Sequence, residues 1–184
     1  MRRRGVLLDL ALTAILGLAD APLRAQSCVA PRTQVAFARA VESVKSEYAA
    51  APNELRKSAV RTRRGALIRS ALGGSRAVTS WVGRLRRMQT NSEGRAMIVV
   101  ELDGTNGTIE TWNNALSDMM DNTLIPQSSP VYSALSDMAV GQTVLFSGSF
   151  LRDERDYARE ASMTEAGSMS SPNFILRFRS VRRC

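Results

Sequence analysis

Arginine offers more chemistry than any other residue type in this chain, because its planar guanidinium group binds carboxylates, phosphates and sulfates through two parallel hydrogen bonds. Several arginines occupy outward positions of predicted strands, and one tryptophan ends a predicted strand beside two asparagines. An exposed aromatic ring of this kind can stack on a sugar or a base. The predicted ligand-binding residues are Trp112, Arg84, Arg86, Arg177 and Arg179. For any one of these arginines the alternative is a solvated position on a basic face.

Catalytic residue types are scarce. The chain has no histidine, which removes the commonest general base and most nucleophilic triads. Ser147 lacks the strand-to-helix turn that a serine nucleophile needs. A cation site at Asp118, Asp121 and Asp137 would need the alternate spacing of a calcium loop, so we expect solvated acids there. We predict no enzyme activity, no cofactor and no metal site. Hydrolysis by a carboxylate pair is the weakest alternative, because no two acids stand out.

Charge is strongly polarised along the chain, whose formal net charge is +8. Residues 55–92 contain ten cations and no acid, whereas residues 96–151 contain six acids and no cation. This pattern predicts either a face that attracts an anionic ligand or a basic half that pairs with the acidic half in the folded chain.

Two cysteines, Cys28 and Cys184, are the only ones in the sequence. In an oxidising compartment they can form a disulfide that closes a very long loop, for which chain entropy gives about 4–5 kcal/mol of stabilisation. The alternative is a pair of reduced thiols. Without histidine, two cysteines are too few for a zinc site built by the protein.

Residues 1–25 resemble a secretory signal peptide, with three arginines, a short apolar run and small residues near Ala25. We therefore expect export to the periplasm or secretion. An uncleaved membrane anchor is less expected, because the apolar run is short and contains Asp9. Residues 25–28 also resemble a poor lipoprotein cleavage box, so lipid anchoring at Cys28 is a minor alternative. No other stretch is apolar enough to span a bilayer.

Helical periodicity precedes the strands. A linker is predicted at residues 26–33 and a helical extension at residues 34–74. Phe37, Val41, Val44 and Tyr48 line one face of a first helix that runs to about residue 50. Asn53 caps a second helix that ends at two glycines, and arginines cover most of its surface.

From residue 75 to residue 184 the pattern changes to β. Gly83 and Gly148 interrupt two of the strands, as expected at the bends of a small barrel. A helix lies between the third and fourth strands, and residues 152–172 are predicted to form a long loop. The predicted strands cover residues 78–89, 95–102, 108–112, 142–151 and 173–182. This order predicts an α+β, mainly β fold: a five-stranded antiparallel OB-like barrel preceded by two N-terminal helices.

Four segments carry a resemblance to a known family. They are Asn-Glu-Leu-Arg-Lys-Ser at 53–58, Val-Gly-Arg-Leu at 82–85, Ala-Met-Ile-Val-Val at 96–100, and Leu135 followed by the glycine-bearing strand at 141–148. Over residues 53–181 the chain resembles the bacterial tRNA-anti-like OB-fold family. The resemblance implies the barrel and an exported or membrane-anchored protein, and it supplies no catalytic residue. Residues 112–118 have no counterpart in it.

Two functions from different classes are compatible with these features. The first is an exported, non-enzymatic binding module whose ligand is anionic or contains carbohydrate, such as an envelope component. Nucleic acid is a less expected ligand, because an exported protein rarely meets it. The alternative is an interaction or scaffold protein that packs a partner or a second copy against its N-terminal helices.

Overall fold

The computed structural model describes residues 28–184. The predicted signal peptide and the start of the predicted linker lie outside the described residues, so both stay predictions. Within the described range, no helix combines the length and the apolar character needed to cross a membrane.

The described chain contains six helices and seven strands. The helices are α1 (Arg32–Ser43), α2 (Lys45–Ala50), α3 (Glu54–Ala71), α4 (Ala115–Asp118), α5 (Pro130–Ser136) and α6 (Glu165–Ser170). The strands are β1 (Ala77–Thr90), β2 (Ala96–Glu101), β3 (Thr108–Glu110), β4 (Thr143–Phe150), β5 (Arg152–Asp153), β6 (Tyr157–Ala158) and β7 (Asn173–Arg183). The predicted first helix is divided into α1 and α2 at Val44.

Five of the strands close into a barrel in the order β1-β2-β3-β7-β4, with β4 paired to β1. The predicted five-stranded barrel is therefore confirmed. The prediction that it is wholly antiparallel is wrong, because β3 and β7 run parallel. A closed ring with an odd number of strands cannot alternate direction all the way round. At least one neighbouring pair must be parallel, and the other four pairs here are antiparallel.

Glycine is required where strands approach most closely. A Cβ atom on Gly83 would lie 2.4 Å from a methyl carbon of Val100 and 2.6 Å from the carbonyl oxygen of Glu101. A Cβ atom on Gly148 would lie 2.4 Å from the carbonyl oxygen of Arg177. Both glycines therefore serve strand packing inside the barrel.

Aromatic rings fill the barrel and extend to the helices. Phe37 of α1 packs against Trp81, Phe150 and Phe174, with ring centroids 5.2, 5.3 and 5.0 Å apart. The side chain of Gln34 exchanges two hydrogen bonds with the backbone of Val82, its oxygen accepting at 2.7 Å and its nitrogen donating at 2.5 Å. α1 is thereby fixed to β1 by both apolar and polar contacts.

The segment between β4 and β7 is more ordered than a loop. The hairpin β5–β6 and the helix α6 occupy it. Strands of two residues are too short to show an alternation of apolar and polar residues, so the sequence pattern predicted a loop. The segment covers the outer side of β7, where the backbone nitrogen of Ile175 donates to the carbonyl of Arg159 at 2.9 Å. The alternation along β7 would place Ile175 on the outer face of the strand, and this covering segment buries it completely.

The two cysteines form a disulfide, with their Cα atoms 5.6 Å apart. Of the two alternatives that the sequence left open, the structure has the bonded one. The bridge joins the start of the described chain to the residue that follows β7.

Candidate functional site

Four arginines from separate elements line one open groove. Arg61 comes from α3, Arg152 from β5, Arg155 from the turn of the hairpin, and Arg159 from the residue after β6. We call this surface, lined by these four arginines, the basic groove. Its volume is about 900 Å³, which exceeds that of a single inorganic anion and suits a larger ligand.

Acidic side chains accompany these arginines, and two of the four arginines also form ion pairs with acids outside the lining. Asp153 and Glu154 are the two acids among the lining residues, so the lining has two more cations than anions. The side chain of Asp153 accepts hydrogen bonds from the backbone nitrogens of Arg155 and Asp156, both at 2.9 Å. Asp153 therefore stabilises the hairpin turn. Arg152 and Arg155 are exposed on the groove wall.

Arg61 is fixed in position by two carboxylates. Its Nη2 lies 2.7 Å from Oδ2 of Asp156, and its Nη1 lies 3.0 Å from Oε2 of Glu165. The hydrogen bonds to Asp156 raise the pKa of the Arg61 guanidinium above its ordinary value, although partial burial lowers it. Arg61 therefore carries its charge at every physiological pH and has a defined orientation at the groove.

Beneath the groove lie three ionisable side chains that we call the buried charge layer: Arg64, Asp156 and Glu160. Arg64 is 1% exposed. Its Nη2 lies 3.1 Å from Oδ1 of Asp156, and its Nη1 donates to the carbonyl of Ser168 at 2.5 Å. Asp156 is thus shared between Arg64 below and Arg61 at the groove, which couples the groove to the layer beneath it.

Glu160 is the least compensated member of this layer. Its Oε1 lies 4.0 Å from Nη1 of Arg64, beyond hydrogen-bond distance. The pKa of Glu160 is raised to about 7, mainly by burial and also by nearby Asp156, although Arg64, Arg61 and a hydrogen bond with Ser162 act to lower it. This carboxyl group therefore changes charge near neutral pH.

Asp121 gathers two of the predicted site residues at one place. Oδ2 of Asp121 accepts a hydrogen bond from the indole nitrogen of Trp112 at 2.8 Å and lies 3.2 Å from Nη1 of Arg159. Its backbone carbonyl accepts from Nε of Arg177 at 3.1 Å. Trp112 and Arg177 therefore meet at Asp121, and Arg159 connects them to the basic groove. Asp121 itself was expected to be a solvated acid, and it is half-buried and paired.

The other predicted arginines have different surroundings. Arg84 is exposed on β1, opposite Thr143 of β4. Nε of Arg86 lies 3.6 Å from a carboxylate oxygen of Glu101. Arg179 donates to the carbonyl of Gly148 at 3.4 Å. None of these contacts involves Asp121, so the structure does not bring all five predicted residues together.

Asp118 was also predicted to be a solvated acid, and that prediction is wrong. It is 2% exposed. Its carboxylate accepts from the hydroxyl of Thr123 at 2.7 Å and from the backbone nitrogen of Leu124 at 3.1 Å. Asp118 stabilises the loop that follows α4, whereas Asp137 is exposed as expected. Residues 28–184 contain no group of three or more side chains suited to a metal ion.

Sequence reasoning missed the basic groove. The available signal was the run of charges at residues 152–160, which contains three arginines. Arg61 and Arg64 add a second signal, because their spacing in α3 places both on the side that also carries buried Val60 and Ile68. The sequence left open that the basic half pairs with the acidic half. Arg86 does pair with Glu101, whereas Arg61, Arg63 and Arg64 pair with acids outside residues 96–151.

Comparisons with known proteins give no relative from which a function could be transferred: no protein-family model, curated protein or solved structure matches this chain.

Proposed function

We propose that this protein is a non-enzymatic binding module with an OB-like barrel, and that it holds an anionic ligand in the basic groove. The observation that carries the proposal is the convergence of Arg61, Arg152, Arg155 and Arg159 on one open surface. Arginine binds carboxylate, sulfate and phosphate groups in a bidentate manner. An open groove with several such groups suits a ligand that carries more than one negative charge.

The strand order supports the OB-like assignment. An OB-fold is a five-stranded Greek-key barrel whose ligands contact its middle strands and the loops between strands one and two and strands four and five. β4 and β7 are the fourth and fifth barrel strands in chain order. The hairpin that supplies Arg152 and Arg155 belongs to the connection between them. The groove is therefore built by a loop that this fold commonly uses for binding.

Export to an oxidising compartment is the accompanying proposal. The disulfide between Cys28 and Cys184 supports it, because such bonds persist outside the reducing cytosol. The resemblance of residues 1–25 to a signal peptide favours the same conclusion.

The scaffold alternative has less support. It requires the N-terminal helices to offer an apolar face to a partner. α1 instead buries Phe37 and Val41, and α3 buries Val60 and Ile68. Phe37, Val41 and Ile68 belong to the same core cluster as the barrel residues.

Titration with a fluorescent sulfated dextran tests the binding proposal, with the groove variant Arg152→Gln/Arg155→Gln. Both arginines are exposed, so the variant is expected to fold normally. We expect affinity to fall at least about tenfold, because each lost guanidinium removes charge-assisted hydrogen bonds. Binding of the unmodified protein should also weaken steeply between about 50 mM and about 200 mM salt.

The matched control is Arg39→Gln/Arg56→Gln. It removes the same charge from two exposed positions of α1 and α3 that do not line the groove. We expect an affinity change of less than about threefold, the general effect of net charge. An equal loss in both variants, or no binding of the polyanion at low salt, would contradict the proposal.

A further inference from the structure

We propose that the ligand of the basic groove is an acidic saccharide, whose sugar ring stacks on Trp112 while its carboxylate or sulfate group binds Arg159 and Arg177. This inference rests on the proposed function, and it adds the chemical class of the ligand and a specificity-determining aromatic residue.

Trp112 and Arg159 share a hydrogen-bond acceptor. The indole nitrogen of Trp112 and Nη1 of Arg159 lie 2.8 Å and 3.2 Å from the same oxygen atom of Asp121. The indole edge and this guanidinium group therefore lie within one hydrogen-bonded cluster. Because Arg159 also lines the basic groove, Asp121 and Arg159 connect Trp112 to the groove, although Trp112 is not one of the lining residues.

Asp121 orients both the indole ring of Trp112 and the guanidinium group of Arg177. Asp121 holds the edge of the indole, so the ring is fixed, and Trp112 is only half-buried. The backbone carbonyl of the same residue holds Arg177 at 3.1 Å. One aromatic platform therefore stands beside two guanidinium groups, and each of the three is positioned by Asp121.

This arrangement fits a sugar that carries a negative charge. A sugar ring offers an apolar C–H face to an aromatic ring, and a uronate or sulfated sugar has an anion next to that face. Asn113 and Asn114 follow Trp112 and are exposed. Oδ1 of Asn114 accepts from the backbone nitrogen of Ser117, and Nδ2 of Asn114 donates to Oδ1 of Asn113, so the amide nitrogen of Asn113 remains as a donor for a sugar hydroxyl group. A simple polyanion would use the arginines and leave the aromatic ring without a contact.

Nucleic acid is the competing occupant, and the aromatic residues disfavour it. Single-strand binders stack successive bases on successive aromatic rings along a basic groove. In the part of the chain that the structure describes, the large rings lie mainly in the barrel core, where Trp81, Phe146 and Phe174 are at most 1% exposed. The ring of Tyr157 in the hairpin already has two arginine side chains over it, so Trp112 is the ring that we assign to the ligand, and one ring suits one sugar unit better than a run of bases.

Intrinsic fluorescence can follow this contact, because the chain has two tryptophans and Trp81 is 0% exposed. A neutral quencher such as acrylamide should therefore report mainly on Trp112. We expect trigalacturonate, or a heparin-derived sulfated oligosaccharide, to protect the fluorescence from quenching. Comparison of these two probes decides between carboxylate and sulfate. Maltotriose, which has no charge, should protect much less.

The variant Trp112→Leu provides the binding test. We expect it to weaken binding of the preferred acidic saccharide about tenfold, the effect of losing one stacked ring, and to change binding of polyphosphate less than twofold. Trp112→Phe keeps a ring but loses the hydrogen bond to Asp121. It should retain most of the saccharide affinity if stacking is the role of this residue. Thermal unfolding of each variant checks that the fold is intact.

The outcomes separate this inference from the proposed function. If polyphosphate binds the groove, but Trp112→Leu affects it as strongly as it affects the saccharides, the saccharide inference is wrong while anion binding stands. Tighter, Trp112-dependent binding of oligothymidylate than of either saccharide overturns the inference in favour of nucleic acid. If no anionic probe binds at low salt, both proposals fail.

Discussion

Trp81 and Arg64 are both almost completely buried, at 0% and 1% exposure, but they lie in regions of opposite composition. Trp81 is in the barrel core and contacts the rings of Phe37, Phe146 and Phe150. Arg64 is in the layer between α3 and the β5–β6 hairpin and contacts carboxylates. The first region consists of aromatic rings and the second of charged groups, and Arg64 lies at their boundary, 6.0 Å from the ring centroid of Phe174.

The two regions make different contributions: the aromatic core stabilises the fold, and the charge layer orients a residue of the groove. Buried aromatic rings stabilise a fold through the area they remove from water. A buried ion pair gains little net stability, because desolvation of the two charges offsets their attraction. The charge layer does fix direction, however, because Asp156 holds Arg61 at the groove. The barrel therefore supplies stability, and the charge layer orients the groove residue.

Truncation of the aromatic core tests this comparison with the largest expected effect. Trp81→Ala should lower the free energy of unfolding by about 3–5 kcal/mol, because it removes a large buried ring and leaves a cavity. Urea denaturation followed by circular dichroism measures the change, which should be similar at pH 5 and pH 8. Val140→Ala, at a position that is 56% exposed, is the control. A decrease in the free energy of unfolding below about 1 kcal/mol for Trp81→Ala would contradict this prediction, because it would mean that neighbouring side chains fill the cavity.

The charge layer should instead make stability depend on pH. Glu160 has an ordinary pKa of 4.5, which is raised to about 7 in the folded protein. Between these values the folded state binds more protons than the unfolded state. The free energy of unfolding therefore falls as pH rises through this window and becomes level above about pH 7. The full shift corresponds to about 3 kcal/mol.

Glu160→Gln should remove most of this slope, as measured by urea denaturation from about pH 4.5 to about pH 8. Burial also raises the pKa of Glu110, so a smaller slope of the same sign should persist. Glu154→Gln, at an exposed position, is the control and should leave the slope unchanged. A slope that is the same in Glu160→Gln and in the unmodified protein would show that Glu160 does not titrate in this window.

A third variant compares buried and exposed arginines directly. Arg64→Met should lower the free energy of unfolding by about 2 kcal/mol, less than the usual cost of breaking a buried pair. The smaller value is expected because Arg61 remains as a partner of Asp156, and Glu160 can take up a proton. Arg63→Met is the matched control: Arg63 is about half-exposed and pairs with Glu47, so its loss should cost under about 1 kcal/mol. Equal losses for the two variants in urea denaturation would remove the distinction between the two arginines.

The sequence predicted the barrel well because its core follows local alternation. In β7, Phe174, Leu176 and Phe178 recur at every second position, and all three are buried. The burial of Ile175 was not predictable in this way, because the covering segment comes from residues before β7. The parallel pair β3–β7 likewise depends on how the whole ring closes, which no single strand encodes.

The candidate site was harder to predict, because its contacts join residues that are far apart in the chain. Arg61 and Asp156 are 95 positions apart, and nothing near either residue indicates the other. Trp112 was selected from its neighbours in sequence, and its partner Asp121 is only nine positions away. Local context therefore pointed to Trp112, whose role in binding stays a prediction, and it was insufficient for the groove.

The bond between Cys28 and Cys184 has a topological consequence, because it converts the backbone from residue 28 to residue 184 into one covalent ring. A protease that cuts a ring once opens it without producing a separate fragment. A nick in the exposed turn at residues 103–106 would leave both pieces attached through sulfur. Such a molecule would migrate as one chain until a reductant released two, so proteolytic damage would remain hidden while the surroundings stay oxidising.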